Sequence, residues 1–389
     1  MDVLLFLSAV LFTAVLLWGN AFSALAEETG TLLKYKVGML PRGEYGLADY
    51  REAVESILQN KLQYRFSLVS LNSLRENLLG TRIVVTTDTT VVKADSGNLL
   101  GDLRSEYDEE TVASRLAPIE ALERLAEQNG AGFLCCLVPT KPVYETATPN
   151  VINANGVNYD LILAETVKRG IPYLDFRSLF EEQGLSVGEL FFYTDHHWRP
   201  AAGLLAARTI CGELSERYGF VYPEKDLDPA QFRVQTYKDH FLGSYGKKTG
   251  LLFTQYGADD FDLITPLFPT DFQAEVAGQP PRRGEFEDSL LDSVYLRKDY
   301  YEANTYVVYS GGDFRLQRID NLLHPDGAKI LIVRDSAGCV VTPFLALAAG
   351  ELHVVDDREG SYPAGAPIDL ESYISELRPD YVVYLKFTY

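Results

Sequence analysis

The sequence predicts an α/β protein, a three-layer α/β/α sandwich carrying a mostly β insertion. Three observations predict it. The continuous apolar runs AGFLCCLVP (131–139), AKILIVRDS (328–336) and DYVVYLKF (380–387) suit strands buried on both faces of a parallel sheet. Between such runs lie helical segments closed by glycine: TVASRLAPIEALERLAEQNG (111–130), YDLILAETVKRG (159–170) and PAAGLLAARTICGELSERYG (200–219). From about 221 to 325 the composition shifts to Asp, Tyr, Phe, Gly and Pro with short strand-like pieces such as TYVVYSGG (305–312).

The elements follow in order. Val3 to Trp18 is an apolar run interrupted by Ser8 and Thr13, and Ala24-Leu25-Ala26 follows with the small residues that precede signal-peptidase cleavage. Residues 1–26 are therefore expected to be a signal peptide or membrane anchor. Residues 27–95 form an N-terminal segment: a helix over 46–79, then a hairpin in TRIVVTTDTTVVKAD (81–95), rich in β-branched residues. The sandwich occupies 96–389, with the insertion at about 221–325. IPYLDF (171–176) repeats the strand unit, and Pro200 suits the first turn of its helix. After the insertion come the strand at 328–336, a helix in VVTPFLALAAG (340–350), a strand in ELHVVDDR (351–358) and the closing strand at 380–387. In such a sandwich, function collects at the carboxyl ends of the strands.

A formal net charge of −20 over 389 residues, with no basic run, excludes nucleic acid as a partner. The four cysteines predict no disulfide framework and no metal site. Cys135 and Cys136 are adjacent in a strand and point to opposite faces, and no Cys-x-x-Cys spacing occurs. No cofactor is expected.

The chemistry concentrates in FFYTDHHWRP (191–200), which holds two of the five histidines. If the segment stays extended, Asp195 and His197 share a face and His196 points away. A carboxylate beside an imidazole fixes its tautomer and stabilises the imidazolium, the base half of a Ser-His-Asp triad. Trp198 would wall that base from water. Ser336 is the best nucleophile, placed where a hydrophobic strand gives way to a helix whose N–H groups, such as that of Ala337, would face a developing oxyanion. An alternative role for Ser336 is a helix N-cap.

YTDHHW followed by RDSAG, PF and LHVVDDR resembles the DHHW family of bacterial exported proteins, which is similar to the SGNH-hydrolase-like domains that O-acetylate alginate. LVPTKPVYE, YLDFRSLF, DHFLGSYGKKTG, YVVYSGGD and PDYVVYLKF support the resemblance, which runs from about residue 50 onward. It implies an SGNH-hydrolase-like fold with a flavodoxin-like parallel sheet, and a triad of Asp195, His197 and Ser336. It implies extracytoplasmic acyl or acetyl transfer, or ester removal, on a polysaccharide, alongside a membrane-bound O-acyltransferase. Gly243 in FLGSYG is a candidate oxyanion donor, and Arg358 a candidate to orient an anionic or sugar group. Four positions depart from the family pattern: Asp313 stands where Asn follows Gly-Gly, Ala337 and Cys339 replace an aromatic and an Asn, and Arg199 replaces Thr. An ionised Asp313 accepts hydrogen bonds and cannot donate to an oxyanion.

Other readings stay open: an esterase with water as acceptor, a non-catalytic carbohydrate-binding or scaffolding component of an export complex, and a metal-dependent phosphoesterase using the acidic patch ADDFD (258–262). Lys247, Lys248 and His240 are weaker candidates for substrate contact.

Overall fold

The computed structural model describes residues 65–86, 89–145, 151–358 and 368–388. The expected leader at 1–26 lies outside them, as does the first part of the N-terminal helix. No helix among the described residues is long and apolar enough to cross a membrane. Residues up to Leu79 and residues from Gly80 form two units. Of the first, helix α1 (Arg65–Leu78) is described.

The second unit opens with the hairpin β1 (Ile83–Val85) and β2 (Thr90–Lys93), joined by the short β3 (Leu99–Leu100). This hairpin falls within the second unit, which begins at Gly80. Physical ties explain it: Lys93 Nζ donates to the carbonyl of Phe253 at 2.8 Å, and Leu99 N–H to that of Tyr193 at 2.8 Å.

The chain then alternates as the apolar runs require: α2 (Glu109–Gln128), β4 (Gly132–Pro139), α3 (Asn155–Arg169), β5 (Tyr173–Asp175), α4 (Phe176–Glu182) and α5 (Pro200–Tyr218). Asp108 caps α2 through the Thr111 amide at 2.8 Å, and Gly170 and Gly219 close α3 and α5 in the left-handed conformation. Next come β6 (Phe232–Phe241), α6 (Ser244–Thr249), β7 (Asp259–Pro266), β8 (Phe272–Val276), β9 (Arg282–Gly284), β10 (Leu316–Asn321) and β11 (Lys329–Arg334). A 3₁₀ turn (Ser336–Val340), α7 (Thr342–Ala346), β12 (Glu351–Val355), α8 (Leu370–Leu377) and β13 (Tyr381–Thr388) complete it.

Among the described residues the main sheet has the order β5-β4-β13-β11-β12-β10-β8-β9. Strands β5 to β12 run parallel, and β10, β8 and β9 add an antiparallel extension. The sheet is thus mixed rather than parallel throughout. The 221–325 segment is only partly an insertion: β6 and β7 pair with each other, whereas β8, β9 and β10 widen the main sheet. TYVVYSGG is not a strand but contains a 3₁₀ turn (Thr305–Val308). Its side chains serve burial, since Thr305, Tyr306 and Val308 are all enclosed.

Alternation along the central strands builds the three layers. Phe133, Cys135 and Leu137 join Leu331, Val333 and Val382 under α2, α3 and α8. Leu134, Cys136 and Val138 join Ile330, Ile332 and Val383 under α4, α5 and α7. Adjacent cysteines therefore face opposite layers, and all four cysteines are free and buried.

Candidate active site

The DHHW segment is not extended. Phe191 and Trp198 bridge each other, and residues 193–197 form a tight turn between them. Two buried ionisable groups hold this turn from beneath. Lys141, fully buried, donates through Nζ to the carbonyls of Phe192 (2.6 Å), Leu99 (3.0 Å) and Tyr193 (3.3 Å). Burial pushes its ammonium down to about 8, against the pull of Asp259 and Asp195. Asp259 receives the amides of Tyr193 (2.7 Å) and Thr194 (2.9 Å), the Thr194 hydroxyl (2.6 Å) and Arg199 Nη2 (3.0 Å). Asp259 lies in β7, so the ADDFD patch is a strand, and this carboxylate is consumed in anchoring the turn.

Within the turn, Asp195 Oδ1 accepts the His197 amide at 2.9 Å and lies 2.5 Å from His197 Nδ1. Its other oxygen accepts the Ser244 amide from the first turn of α6. Burial works against this charge, yet His197, His196 and the Ser244 amide hold the carboxyl well below the ordinary range. His196 does not point away: its ring lies against that of His197, centroids 3.8 Å apart. Burial and the neighbouring His197 push its imidazole down to about 4. The turn explains the contact, because an extended strand would have sent the two rings to opposite faces.

Ser336 arrives from the other side, at the carboxyl end of β11. His197 Nε2 lies 2.9 Å from Ser336 Oγ. Asp335 caps the 3₁₀ turn that carries the serine, accepting the Ala337 amide at 2.9 Å and the Phe387 amide of β13 at 3.0 Å. The structure thus joins Asp195, His197 and Ser336 in one hydrogen-bonded row.

Other candidates stand elsewhere or are occupied. The Gly243 amide donates to Thr194 Oγ1 at 2.8 Å and the Ala337 amide to Asp335, so neither N–H is aimed at the serine. Gly243 matters instead for space, since a Cβ there would stand 2.3 Å from Asp195 Cβ. Trp198 is fully buried between Phe176 and Phe180, at centroid distances of 5.3 and 5.2 Å, and forms core rather than a wall over the imidazole. Lys247 donates to the Ala303 carbonyl at 2.6 Å, and His240 Nε2 lies 2.7 Å from the Leu296 carbonyl.

Asp313 bridges Arg334 and Arg358, and Arg358 also pairs with Asp356. Arg358 is therefore an ion-pair residue. Despite burial, Arg334, the Cys339 thiol and Arg358 lower the Asp313 carboxyl to about 2. A carboxyl depressed below its unfolded value stabilises the fold above about pH 4, and that contribution is lost as pH falls toward 2. The shift is worth about 2 kcal/mol. Denaturant melts at pH 7 and pH 3 should therefore show a steeper acid loss in the native chain than in Asp313→Asn; parallel losses would refute it.

Tyr306 covers the imidazole, its ring stacked on His197 at 3.9 Å and 18°, while its hydroxyl donates to the Ser336 carbonyl at 2.7 Å. Sequence reasoning quoted the segments holding Tyr306 and Lys141 but assigned neither residue a role, because nothing in local spacing shows which long-range partner a side chain meets.

Residues 94–260 match the family described as the SGNH hydrolase-like domain of the acetyltransferase AlgX. That span includes Asp195 and His197, and Ser336 lies beyond it. No curated protein matches the chain in sequence. A Bacillus cereus PatB1 structure bearing a sulfonyl adduct is 15% identical, covers 78% of this chain and 96% of its own, and superposes with a TM-score of 0.59. A DHHW family protein from Eubacterium siraeum is 18% identical, covers 79% and 92% respectively, and superposes with a TM-score of 0.51. At such identities the likeness establishes the fold. Residues 94–260 therefore resemble an SGNH hydrolase-like domain, and the layered sheet shares the fold of the PatB1 and DHHW family structures.

Proposed function

We propose that this protein is an acyltransferase, acetyl being the expected group, or an acetylesterase, acting on an exported or cell-surface polysaccharide through Ser336, His197 and Asp195. The observation that carries the proposal is the 2.9 Å approach of His197 Nε2 to Ser336 Oγ, with Nδ1 at 2.5 Å from Asp195. With Nδ1–H donated to the carboxylate, Nε2 holds the lone pair that accepts the serine proton. Ser336 Oγ attacks the carbonyl of an acyl donor, and its proton passes to His197. The tetrahedral intermediate collapses as His197 returns that proton to the leaving group. A glycan hydroxyl, or water, then gives its proton to His197 and resolves the acyl-enzyme, and Ser336 recovers a proton. Tyr306 stacked on the ring favours the imidazolium formed in both halves. The Ser336 amide, without a hydrogen-bond partner among the described residues, is the main-chain donor available to the oxyanion.

The resemblance supports work outside the cytoplasm beside a membrane-bound O-acyltransferase that supplies the acyl group. A second reading, a non-catalytic carbohydrate-binding or scaffolding component, is favoured by one observation: Asp313 is an ionised acceptor held by two arginines and gives no side-chain donor.

Sulfonyl fluorides trap activated serines, and the PatB1 structure carries a sulfonyl adduct. Incubation of the intact chain with an aryl sulfonyl fluoride should give one adduct, mapped to Ser336 by peptide mass spectrometry and missing in Ser336→Ala. An unmodified Ser336 at full occupancy of the reagent would favour the passive reading. Acyl transfer from an activated ester to an oligosaccharide, compared with release to water, separates transferase from esterase.

A further inference from the structure

One imidazole beside this row takes no part in it. His196 stacks on His197 with an interplanar angle of 37°. Both rings turn Nδ1 toward the same oxygen, Asp195 Oδ1, at 2.5 Å from His197 and 3.5 Å from His196. Both Nε2 atoms therefore face the opposite way. That of His197 meets Ser336 Oγ, while that of His196 has no partner among the described residues. The Nδ1 of His196 is also 3.1 Å from Ser244 Oγ, which fixes the ring from behind. One ligand atom from each of Asp195, His196 and His197 fits within a 4.8 Å span.

We propose that His196 Nε2 and His197 Nε2 form a binding site for a zinc-class divalent cation, with Asp195 behind the His197 ring and Ser244 behind the His196 ring. Imidazole nitrogen is the ligand that zinc, copper and nickel prefer, and a carboxylate on the far ring nitrogen is the usual support for a metal-bound histidine. Zinc–nitrogen bonds of about 2.0–2.1 Å set two tetrahedral ligand nitrogens about 3.3 Å apart. The ring centroids lie 3.8 Å apart, and on binding both rings rotate to bring their lone pairs onto one ion. The side chains of His196 and His197 are 26% and 10% exposed, so an ion reaches them from solvent. Water fills the remaining positions. The ion takes the Nε2 lone pair of His197, the serine keeps its own proton, and no electron changes hands. Bound metal would then deprive Ser336 of its base. The site stands on the imidazole geometry alone; its inhibitory effect rests on the acyl-transfer reading.

The test uses the intact, untagged chain freed of metal by chelation, with Zn²⁺ titrated against a chromophoric chelator. The expected result is one zinc per chain, bound at least tenfold more weakly in His196→Ala and in His197→Ala and still bound in Ser336→Ala. In the second arm, saturating zinc slows sulfonylation of the native chain at least tenfold and does not protect His196→Ala. Lack of one-to-one binding, or unchanged affinity in His196→Ala, overturns the site. Zinc binding in a chain whose metal-free Ser336 never reacts would keep the site and remove the acyl-transfer reading, so the two fail separately.

Discussion

Asp195→Asn is expected to slow sulfonylation of Ser336, and any acyl transfer, by about 10⁴-fold, the scale seen when a triad carboxylate becomes an amide. The carboxylate here accepts on both oxygens: the ring and main-chain N–H of His197 on one, the Ser244 amide on the other. An amide side chain must turn its NH₂ toward one of these donors. Facing His197, it forces the proton onto Nε2, which can no longer accept from serine. Facing Ser244, it opposes two donors and loosens the start of α6. Labelling rates over a pH series, with far-UV circular dichroism as the folding control, read this out. A fall of less than tenfold would show that Asp195 does not set the tautomer.

The second large effect is on stability. Lys141→Met should destabilise the chain by about 3–5 kcal/mol, the range for removing one partner of a buried charged network. Its ammonium satisfies three carbonyls, and Asp259 pulls most strongly on its charge. Methionine fills the volume but leaves those oxygens unpaired, so the loss belongs to the hydrogen bonds rather than to a cavity. Denaturant unfolding should show a lower midpoint at unchanged slope. Because Phe192 and Tyr193 lead directly into the turn that holds Asp195, sulfonylation should also slow in protein that is still folded. A stability loss under about 1 kcal/mol would mean that the carbonyls find other donors.

The central layers were legible because burial on both faces leaves an uninterrupted apolar signature. Thus β4, β11 and β13 appear at the predicted places, and the glycines after α3 and α5 mark their ends. The widened sheet was not legible: β8 to β10 are short and half-polar and read like an appended β segment. At the site, the residue types in DHHW indicated which side chains to watch. Their arrangement depends on a turn shaped by Lys141 and Asp259, which are 51 and 66 residues from their partners Phe192 and Tyr193. Trp198 misled because an aromatic beside a histidine suggests a lid, whereas the bridge to Phe191 sends it into the core and the cover comes from Tyr306.

Strand β13 lies between β4 and β11, although it follows both in the chain. Until residues 381–388 are inserted, the sheet exists as two fragments with unpaired inner edges, the type of surface that invites sticking between chains. The same strand supplies the Phe387 amide to Asp335, next to Ser336. The hydroxyl proposed as the nucleophile is thus tied to the pairing of this strand with both of its neighbours.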